Sequence, residues 1–408
     1  MKIFVSAYAC EPGLGSEIGV GWHWVIEMSK HFELWVLTRE SNRHTIEPWI
    51  ADHPEFGGIH FLYYDLPKWA RWWKRGMRGV RLYYNLWQWR TNHIVKRTMQ
   101  DNDIAVYHLL TYGNALWPAS RFGQKQTFVW GPIGGVDTIP RDFTQHYGWK
   151  WRMIEAARRA IVSALPLNKG FQRRCRDAKI ILCKSHSMRE AINEKYRSKA
   201  VLMTDVAVEA KHIEDYHRQR GENDRDVRYL MVGRLDAWRG FDLAIEAMAK
   251  AVREQQNIKL DILGKGSDKE RILSLIDQFG LQKHVTLHGN VPMDTYLQMM
   301  ADCDVVLNPC LKEGAVTTAF DAMTFGRPLI GIDTGGYTRY FNDQYAILIK
   351  RDCRERVIED LTKAIIRLTD SYIRKTMERK AQEAAQQFTW EQKGKEIANT
   401  LQSVLKNL

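Results

Sequence analysis

The chain has 408 residues, 45% of them hydrophobic and 26% charged, with a formal net charge of +12. That length exceeds what one hydrophobic core supports and points to at least two domains, and the composition excludes a disordered, collagenous or disulfide-framed chain. Six cysteines without a CxxC pair suit free thiols in a reducing compartment rather than a zinc site.

The charge is unevenly placed. Residues 1–200 hold 30 Lys and Arg against 17 Asp and Glu, whereas residues 201–408 hold 30 against 31. Thirteen of the 15 tryptophans also precede residue 200. A first half this basic and aromatic faces something anionic or interfacial. No run reaches the ~18 apolar residues of a membrane span. The short apolar N-terminal stretch has no cleavage signal and reads as a strand rather than a signal peptide.

In chain order, the first strand is Ile3–Ala7. It runs into Cys10-Glu11-Pro12-Gly13-Leu14-Gly15-Ser16-Glu17, a glycine-rich turn that opens a helix. Such turns let backbone amides approach an anion, but the spacing is not G-x-G-x-x-G. Strands follow at Leu34–Leu37 and Ile59–Tyr63. The segment Lys68–Arg90 then carries Lys68, Arg71, Lys74, Arg75, Arg78, Arg81 and Arg90 with no Asp or Glu. Trp69, Trp72, Trp73, Tyr83, Tyr84, Trp87 and Trp89 are interleaved with them. Trp and Tyr favour the headgroup level of a bilayer, and each basic residue there adds about 1 kcal/mol of attraction to anionic lipid. The segment is therefore read as a peripheral membrane contact. A solvated basic helix with its aromatics in the core, or a nucleic-acid face, are the alternatives.

Further strands are expected at Ile104–Leu109, Thr127–Trp130 and Ala178–Leu182, with a second basic, Trp-rich stretch from Trp149 to Arg174. The polar run Arg218–Asp226 reads as a linker, with the hinge nearer Thr204–Glu209. In the second half, strands are expected at Arg228–Val232, Lys259–Leu263, Val285–Leu287, Val305–Leu307, Leu329–Ile332 and Ala346–Ile349. Helices such as Asp242–Glu254 and Asp268–Phe279 separate them, and a closing helix spans Trp390–Leu405. Strands alternating with helices give parallel sheets covered on both faces, and two such series give two doubly wound α/β domains with ligands at the carboxyl ends of the strands.

Two second-half motifs bear on chemistry. In Val232-Gly233-Arg234-Leu235-Asp236-Ala237-Trp238-Arg239-Gly240 a strand runs straight into Gly-Arg, and a second arginine follows five residues on. Two guanidinium forks at a strand end can clamp a diphosphate, although two surface arginines would look the same. In Asn308-Pro309-Cys310-Leu311-Lys312-Glu313-Gly314-Ala315-Val316-Thr317 a strand ends, Glu313 follows, and a helix opens near Ala315. The first turn of a helix offers free amides and a positive dipole end to a phosphate. Asp321 lies eight residues after Glu313, about two turns along the same face. Together the two carboxylates can hold two hydroxyl-bearing parts of one ligand, or they can be a capping Glu and a surface Asp.

Taken together, V-G-R-L-x-x-x-R-G, P-x-x-x-E-G-x-x-x-x-x-x-D-A-M-x-x-G-x-P and the glycine-rich first loop resemble the retaining family 4 glycosyltransferases of GT-B fold. Gly264-Lys265-Gly266, His288-Gly289-Asn290-Val291-Pro292 and Phe388-Thr389-Trp390-Glu391 match as well. C-E-P-G-x-G-S-E and Trp130-Gly131-Pro132-Ile133-Gly134-Gly135 look like a bacterial cell-surface glycan subgroup.

The resemblance implies two Rossmann-like domains facing across a cleft. Residues 1–205 would be the acceptor domain, joined by the C-terminal helix 389–408, and residues 206–388 the nucleotide-sugar domain. Arg234 and Arg239 would neutralise the departing diphosphate. Glu313, with the amides of Gly314, Ala315, Val316 and Thr317, would hold sugar and phosphate. Asp321 would hold the ribose, Val291 would meet the base, Gly15 and Ser16 would contact the phosphates, and His108 would face the donor. A core histidine is the alternative for His108. The family usually carries Glu where Asp321 stands and Lys where Arg239 stands. The shorter acid loosens the ribose grip, while arginine keeps the charge.

The implied reaction is transfer, with retention, from a UDP- or GDP-sugar to a hydroxyl of a glycan or lipid-linked acceptor, in lipopolysaccharide, O-antigen or capsule synthesis. No metal, other cofactor or nucleic acid is expected. The expected location is the cytoplasm, on the inner face of the membrane. A non-catalytic sugar-nucleotide or nucleic-acid binding protein, and a GT-B synthase acting on a soluble sugar phosphate, are the rival readings.

Overall fold

The computed structural model describes residues 1–74, 79–117, 126–219, 225–312 and 317–405. Arg75, Arg78 and part of the expected linker lie outside the described residues, as do Glu313, Gly314, Ala315 and Val316.

The chain forms two compact units. The first comprises Met1–Val136, Ser163–Asp205 and Glu391–Leu408, and the second Asp137–Val162 and Val206–Trp390. Each is built on one parallel sheet. In the first, β1 (Lys2–Ser6), β2 (Glu33–Thr38), β3 (His60–Tyr63), β4 (Val106–Leu109), β5 (Thr127–Ile133), β6 (Ala178–Cys183) and β7 (Ala200–Leu202) lie in the order β3-β2-β1-β4-β5-β6-β7. In the second, β8 (Val227–Val232), β9 (Ile258–Leu263), β10 (Val285–Gly289), β11 (Val305–Asn308), β12 (Leu329–Asp333) and β13 (Ala346–Lys350) lie in the order β10-β9-β8-β11-β12-β13.

The burial pattern explains the sequence pattern. Central strands of a sheet covered on both faces are apolar without alternation, and Val106–Leu109 and Val305–Asn308 are buried throughout. Every strand expected from the sequence is present. The additional β7 has three residues and pairs Ile181–Cys183 with Ala200–Leu202 at the sheet edge.

The first unit's core holds the fully buried Trp24, Trp87, Trp130, Phe4, Tyr107, Phe128 and Phe171. The closing helix Trp390–Leu405 is present. It meets the helix Ser16–Ser29 at Gly394, where an added Cβ would press on Glu27.

The second unit's core joins Tyr229, Leu243, Ile262, Leu307 and Ile330 with Ile139, Phe143 and Tyr147. Those last three come from residues 137–162, which belong wholly to this unit. The backbone N–H of Arg354 donates to Asp142 at 2.6 Å, and Arg351 donates to the Thr138 carbonyl at 3.0 Å, which fastens that segment.

Candidate functional site

In both sheets the strand order reverses between two central strands, β1 and β4 in the first unit and β8 and β11 in the second. Loops leaving the paired strands diverge there, and the crevice outside their carboxyl ends is where open α/β sheets take ligands.

In the second unit this place is made of glycine and cations. Gly233 continues β8 at φ 157°, Gly264 continues β9 at φ 137°, and Gly240 sits at φ 75°. A Cβ at Gly264 would overlap the Gly233 carbonyl, and one at Gly240 would overlap the Pro309 carbonyl. The absent side chains let three loops touch backbone to backbone. Arg234 leaves this turn two-thirds exposed, its Nε 3.0 Å from the Asp236 carboxylate, with Nη2 on the same oxygen. Asp236 is buried, so it fixes a cation that otherwise faces solvent. Arg239 lies with its guanidinium 4.4 Å from the Trp238 ring and in reach of Gly233.

Trp238 carries a second cation. Lys312 Nζ is 5.1 Å from its ring and forms an ion pair with Glu155, which is fully buried on the helix Trp149–Ser163. Burial draws the lysine below its ordinary pKa, and Glu155 opposes that drift. Lys312 is the last residue described before Glu313, and this pair fixes its side chain to the helix Trp149–Ser163.

The helix after the loop runs Thr317–Thr324 and is followed by Gly326 at φ 63°. Asp321 is half-buried on it and accepts the Tyr296 hydroxyl. Burial pushes Asp321 up to about 6; the tyrosine bond works against that rise, and nearby Glu209 adds to it. Val291 lies two residues past β10, at the carboxyl end of the same sheet.

The first unit holds the remaining expected residues. Gly15 is the extended residue before the helix Ser16–Ser29, so the glycine-rich turn does open that helix. His108 lies on β4 between Val5 and Val129 and is fully buried. Its Nε2 is 2.7 Å from the Gly131 carbonyl, an acceptor only, so that nitrogen carries the proton. Its Nδ1 has no hydrogen-bond partner among the described residues. Burial lowers His108 to about 4, so the ring is neutral at pH 7.

The basic, aromatic segment divides. Tyr83, Tyr84 and Trp87 are fully buried, whereas Trp69, Trp72, Leu82 and Trp89 are exposed beside Lys68, Arg81 and Arg90. In the second stretch Trp149, Met153 and Ile161 are exposed, while Arg158 and Arg159 bond to the Asp137 and Ile139 carbonyls. Among the described residues, no group of three His, Cys, Asp or Glu could hold a metal ion, and no helix is long and apolar enough to cross a membrane.

Sequence reasoning missed Asp236, Glu155 and Tyr296, the groups that hold Arg234, Lys312 and Asp321. For Asp236 a signal existed, because it stands two residues from Arg234. Glu155 and Tyr296 are remote in the chain from their partners, and only folding joins them.

Residues 212–388 match the family model described as "Glycosyl transferases group 1". The chain is 28% identical over 168 residues to a Campylobacter jejuni N-acetylgalactosamine-N,N'-diacetylbacillosaminyl-diphospho-undecaprenol 4-alpha-N-acetylgalactosaminyltransferase, covering 40% of this chain and 43% of that one. It spans about a third to a half of the length of the first curated relatives it matches. Among solved structures, the lipopolysaccharide outer core galactosyltransferase WaaB is similar at TM-score 0.65 and 15% identity, covering 99% of this chain and 100% of that one. Anabaena Alr3699/HepE in complex with UDP and glucose is similar at TM-score 0.61 and 15% identity, with coverage of 99% and 100%. These likenesses establish the GT-B fold, two parallel sheets with interleaved helices.

Proposed function

We propose that this chain is a glycosyltransferase that moves a sugar from a nucleotide-diphosphate sugar to a hydroxyl of a glycan or lipid-linked acceptor. The observation that carries this reading is the second unit's strand-end turn. There glycine brings three loops into backbone contact and two arginines share one loop, inside the segment matched by the glycosyltransferase family model.

The chemistry follows from charge. A departing nucleoside diphosphate gathers negative charge as the glycosidic bond lengthens. Arg234 is held by Asp236 in advance of that event, and Arg239 is braced on Trp238, so neither needs to be reoriented when the charge appears. A dianionic diphosphate then takes Arg234's outward N–H groups while Asp236 keeps the guanidinium in plane. Glu313 and the amides of Gly314, Ala315, Val316 and Thr317 are assigned to the donor sugar and phosphate, Asp321 to the ribose and Val291 to the base. In the first unit, Gly15 and Ser16 are assigned to the phosphates and His108 to the donor.

Transfer proceeds with retention, in the manner of family 4, with the leaving phosphate taking the acceptor's proton and no metal required. The exposed Trp69, Trp72 and Trp89 with Lys68, Arg81 and Arg90 support peripheral attachment to the inner face of an anionic membrane. The relatives named for lipopolysaccharide and diphospho-undecaprenol chemistry support a cell-surface glycan as product.

Thermal shift against UDP-, GDP- and ADP-sugars tests the donor, since a true donor stabilises by mass action. With the donor found, Arg234→Ala is expected to cut turnover by roughly 10²-fold or more, the size of a lost oxyanion contact. Turnover unaffected by EDTA and an axial or equatorial product linkage matching the donor's would support the metal-independent, retaining course. If no sugar nucleotide raises the melting temperature, or Arg234→Ala turns over normally, the proposal fails.

A further inference from the structure

The first unit's reversal point, between β1 and β4, is furnished with aromatic rings. Tyr8, just past β1, and Tyr112, just past β4, meet edge to face across it with ring centroids 4.8 Å apart. Tyr84 stacks on Tyr112 at 4.9 Å and 17°, and Trp117 stacks on the same ring at 5.0 Å and 29°. Tyr8 and Tyr84 are buried, whereas Tyr112 and Trp117 are half-buried. Buried rings thus form a floor, and two partly open rings lie over it.

Tyr112 is held there under strain. Its φ is 57°, a left-handed conformation that a bulky residue keeps only when its surroundings enforce it. The enforcing contact is its backbone N–H, which donates to Glu17 Oε1 at 2.6 Å. Strain of this kind gathers where a side chain must be aimed at something.

The polar groups around the rings are lopsided. Arg39 lies 5.4 Å from the Tyr8 ring, and Lys74 lies 5.3 Å from the Tyr83 ring. Asp65 takes Arg39 at 3.3 Å, Arg71 at 3.1 Å and the Tyr83 hydroxyl at 2.6 Å, so one carboxylate already answers two guanidinium groups and a phenol. Lys74 makes no ion pair among the described residues. Burial and the neighbouring Arg39 draw it below its ordinary pKa, as expected of a cation short of a counterion. The Tyr8 hydroxyl is buried with no hydrogen-bond partner among the described residues. A buried polar atom left so is a place for a ligand or water to bond.

We infer that this cluster is a subsite for an acidic saccharide, with the apolar face of a pyranose on Tyr112 and Trp117, a sugar hydroxyl at Tyr8, and a carboxylate or phosphate at Arg39 and Lys74. The inference rests on the glycosyl-transfer reading, which assigns the nucleotide to the second unit, and names the acceptor class as an anionic sugar. Uronates and sugar phosphates share the recognising chemistry.

Saturation-transfer NMR tests it on the full chain with methyl glucuronide, glucose 1-phosphate, methyl glucoside and uridine as probes, and with UDP, GDP and ADP as independent titrations. The acidic sugars are expected to bind at least tenfold more tightly than methyl glucoside. Trp117→Ala abolishes saccharide binding, and Lys74→Gln removes only the preference for acid. Which acidic probe binds better distinguishes uronate from phosphate. Nucleoside diphosphate affinity stays the same in both variants.

The subsite is overturned if Trp117→Ala, shown folded by its melting curve, binds the saccharides as wild type does. It is also overturned if uridine occupies the rings instead, or if neutral and acidic sugars bind alike. Failure of UDP, GDP and ADP alike to bind would overturn the glycosyl-transfer reading, whereas saccharide loss at Trp117 would still hold.

Discussion

The two sheets reverse their strand order in the same way and furnish the reversal oppositely. Between β8 and β11 side chains are subtracted: Gly233, Gly240 and Gly264 bring backbone to backbone, and what projects is guanidinium. Between β1 and β4 side chains are added: Tyr84 and Trp117 stack on Tyr112, and Tyr8 meets Tyr84 and Tyr112 edge-on. A shared architecture supplies a crevice, and the residues at its lip decide whether it suits a polyanion or the flat face of a ring.

That contrast can be broken at the anion side first. Lys312→Met leaves Glu155 buried and unanswered, and removing one partner of such a pair typically costs about 3–5 kcal/mol. The double variant Lys312→Met with Glu155→Leu should recover most of the loss, read as the midpoint of denaturant unfolding. Equal damage in single and double variants would show that the unanswered Glu155 is not the source of the loss.

Next in size is Gly264→Ala, where the new Cβ meets the Gly233 carbonyl at a left-handed φ. We expect a loss of about 2–3 kcal/mol. Gly280→Ala, also at positive φ but with nothing within 4 Å, should lose only about 1 kcal/mol. Similar losses would mean that close approach is not what glycine provides here.

Asp321 gives a pH test. Its folded pKa of about 6 lies above the ordinary carboxylate value. The folded state therefore binds that proton more tightly than the unfolded chain does, and the associated stability is full below about pH 4 and lost as pH rises through 6. Asp321→Asn should flatten melting temperature across this window and stabilise the protein at pH 7 by roughly 1–3 kcal/mol. An unaltered pH profile would place the titrating group elsewhere.

The smallest effect sharpens the aromatic side. Truncating the half-buried Trp117 to alanine should shift stability by less than ~1 kcal/mol. Tyr84→Ala, in the floor, should cost about 3–5 kcal/mol as a large core deletion. If both variants melt alike, the division into floor and open face is wrong.

Much of this was legible in the sequence. Alternating apolar runs and helical patterns located twelve strands, because a sheet buried on both faces needs continuous Val, Ile and Leu. The three-residue β7 is too short to show a period. In Lys68–Arg90, composition alone merged two groups that burial separates. Tyr83, Tyr84 and Trp87 recur at helical spacing and face inward, while Trp69, Trp72 and Trp89 do not. Arg234, Arg239 and Asp321 of the second unit could be singled out because each motif is contiguous, although Asp236 was passed over within one of them. Tyr8, Arg39, Asp65 and Tyr112 were not, since each stands singly after a different strand and only the sheet gathers them. Nor does periodicity say which of two sheets a helix will join, and so a reading in chain order places residues 137–162 in the first domain, 1–205, whereas they pack in the second unit.

That segment has a consequence for how the protein can be cut. The polypeptide passes from one unit to the other at residues 136–137, 162–163, 205–206 and 390–391, four connections where a simple tandem has one. A fragment beginning at residue 206 would lack Ile139, Phe143 and Tyr147 and would strand Lys312 without its carboxylate. Neither half is a heritable module that recombination could lift out whole, and on the ribosome the stretch around Phe143 emerges well before the strands that will enclose it.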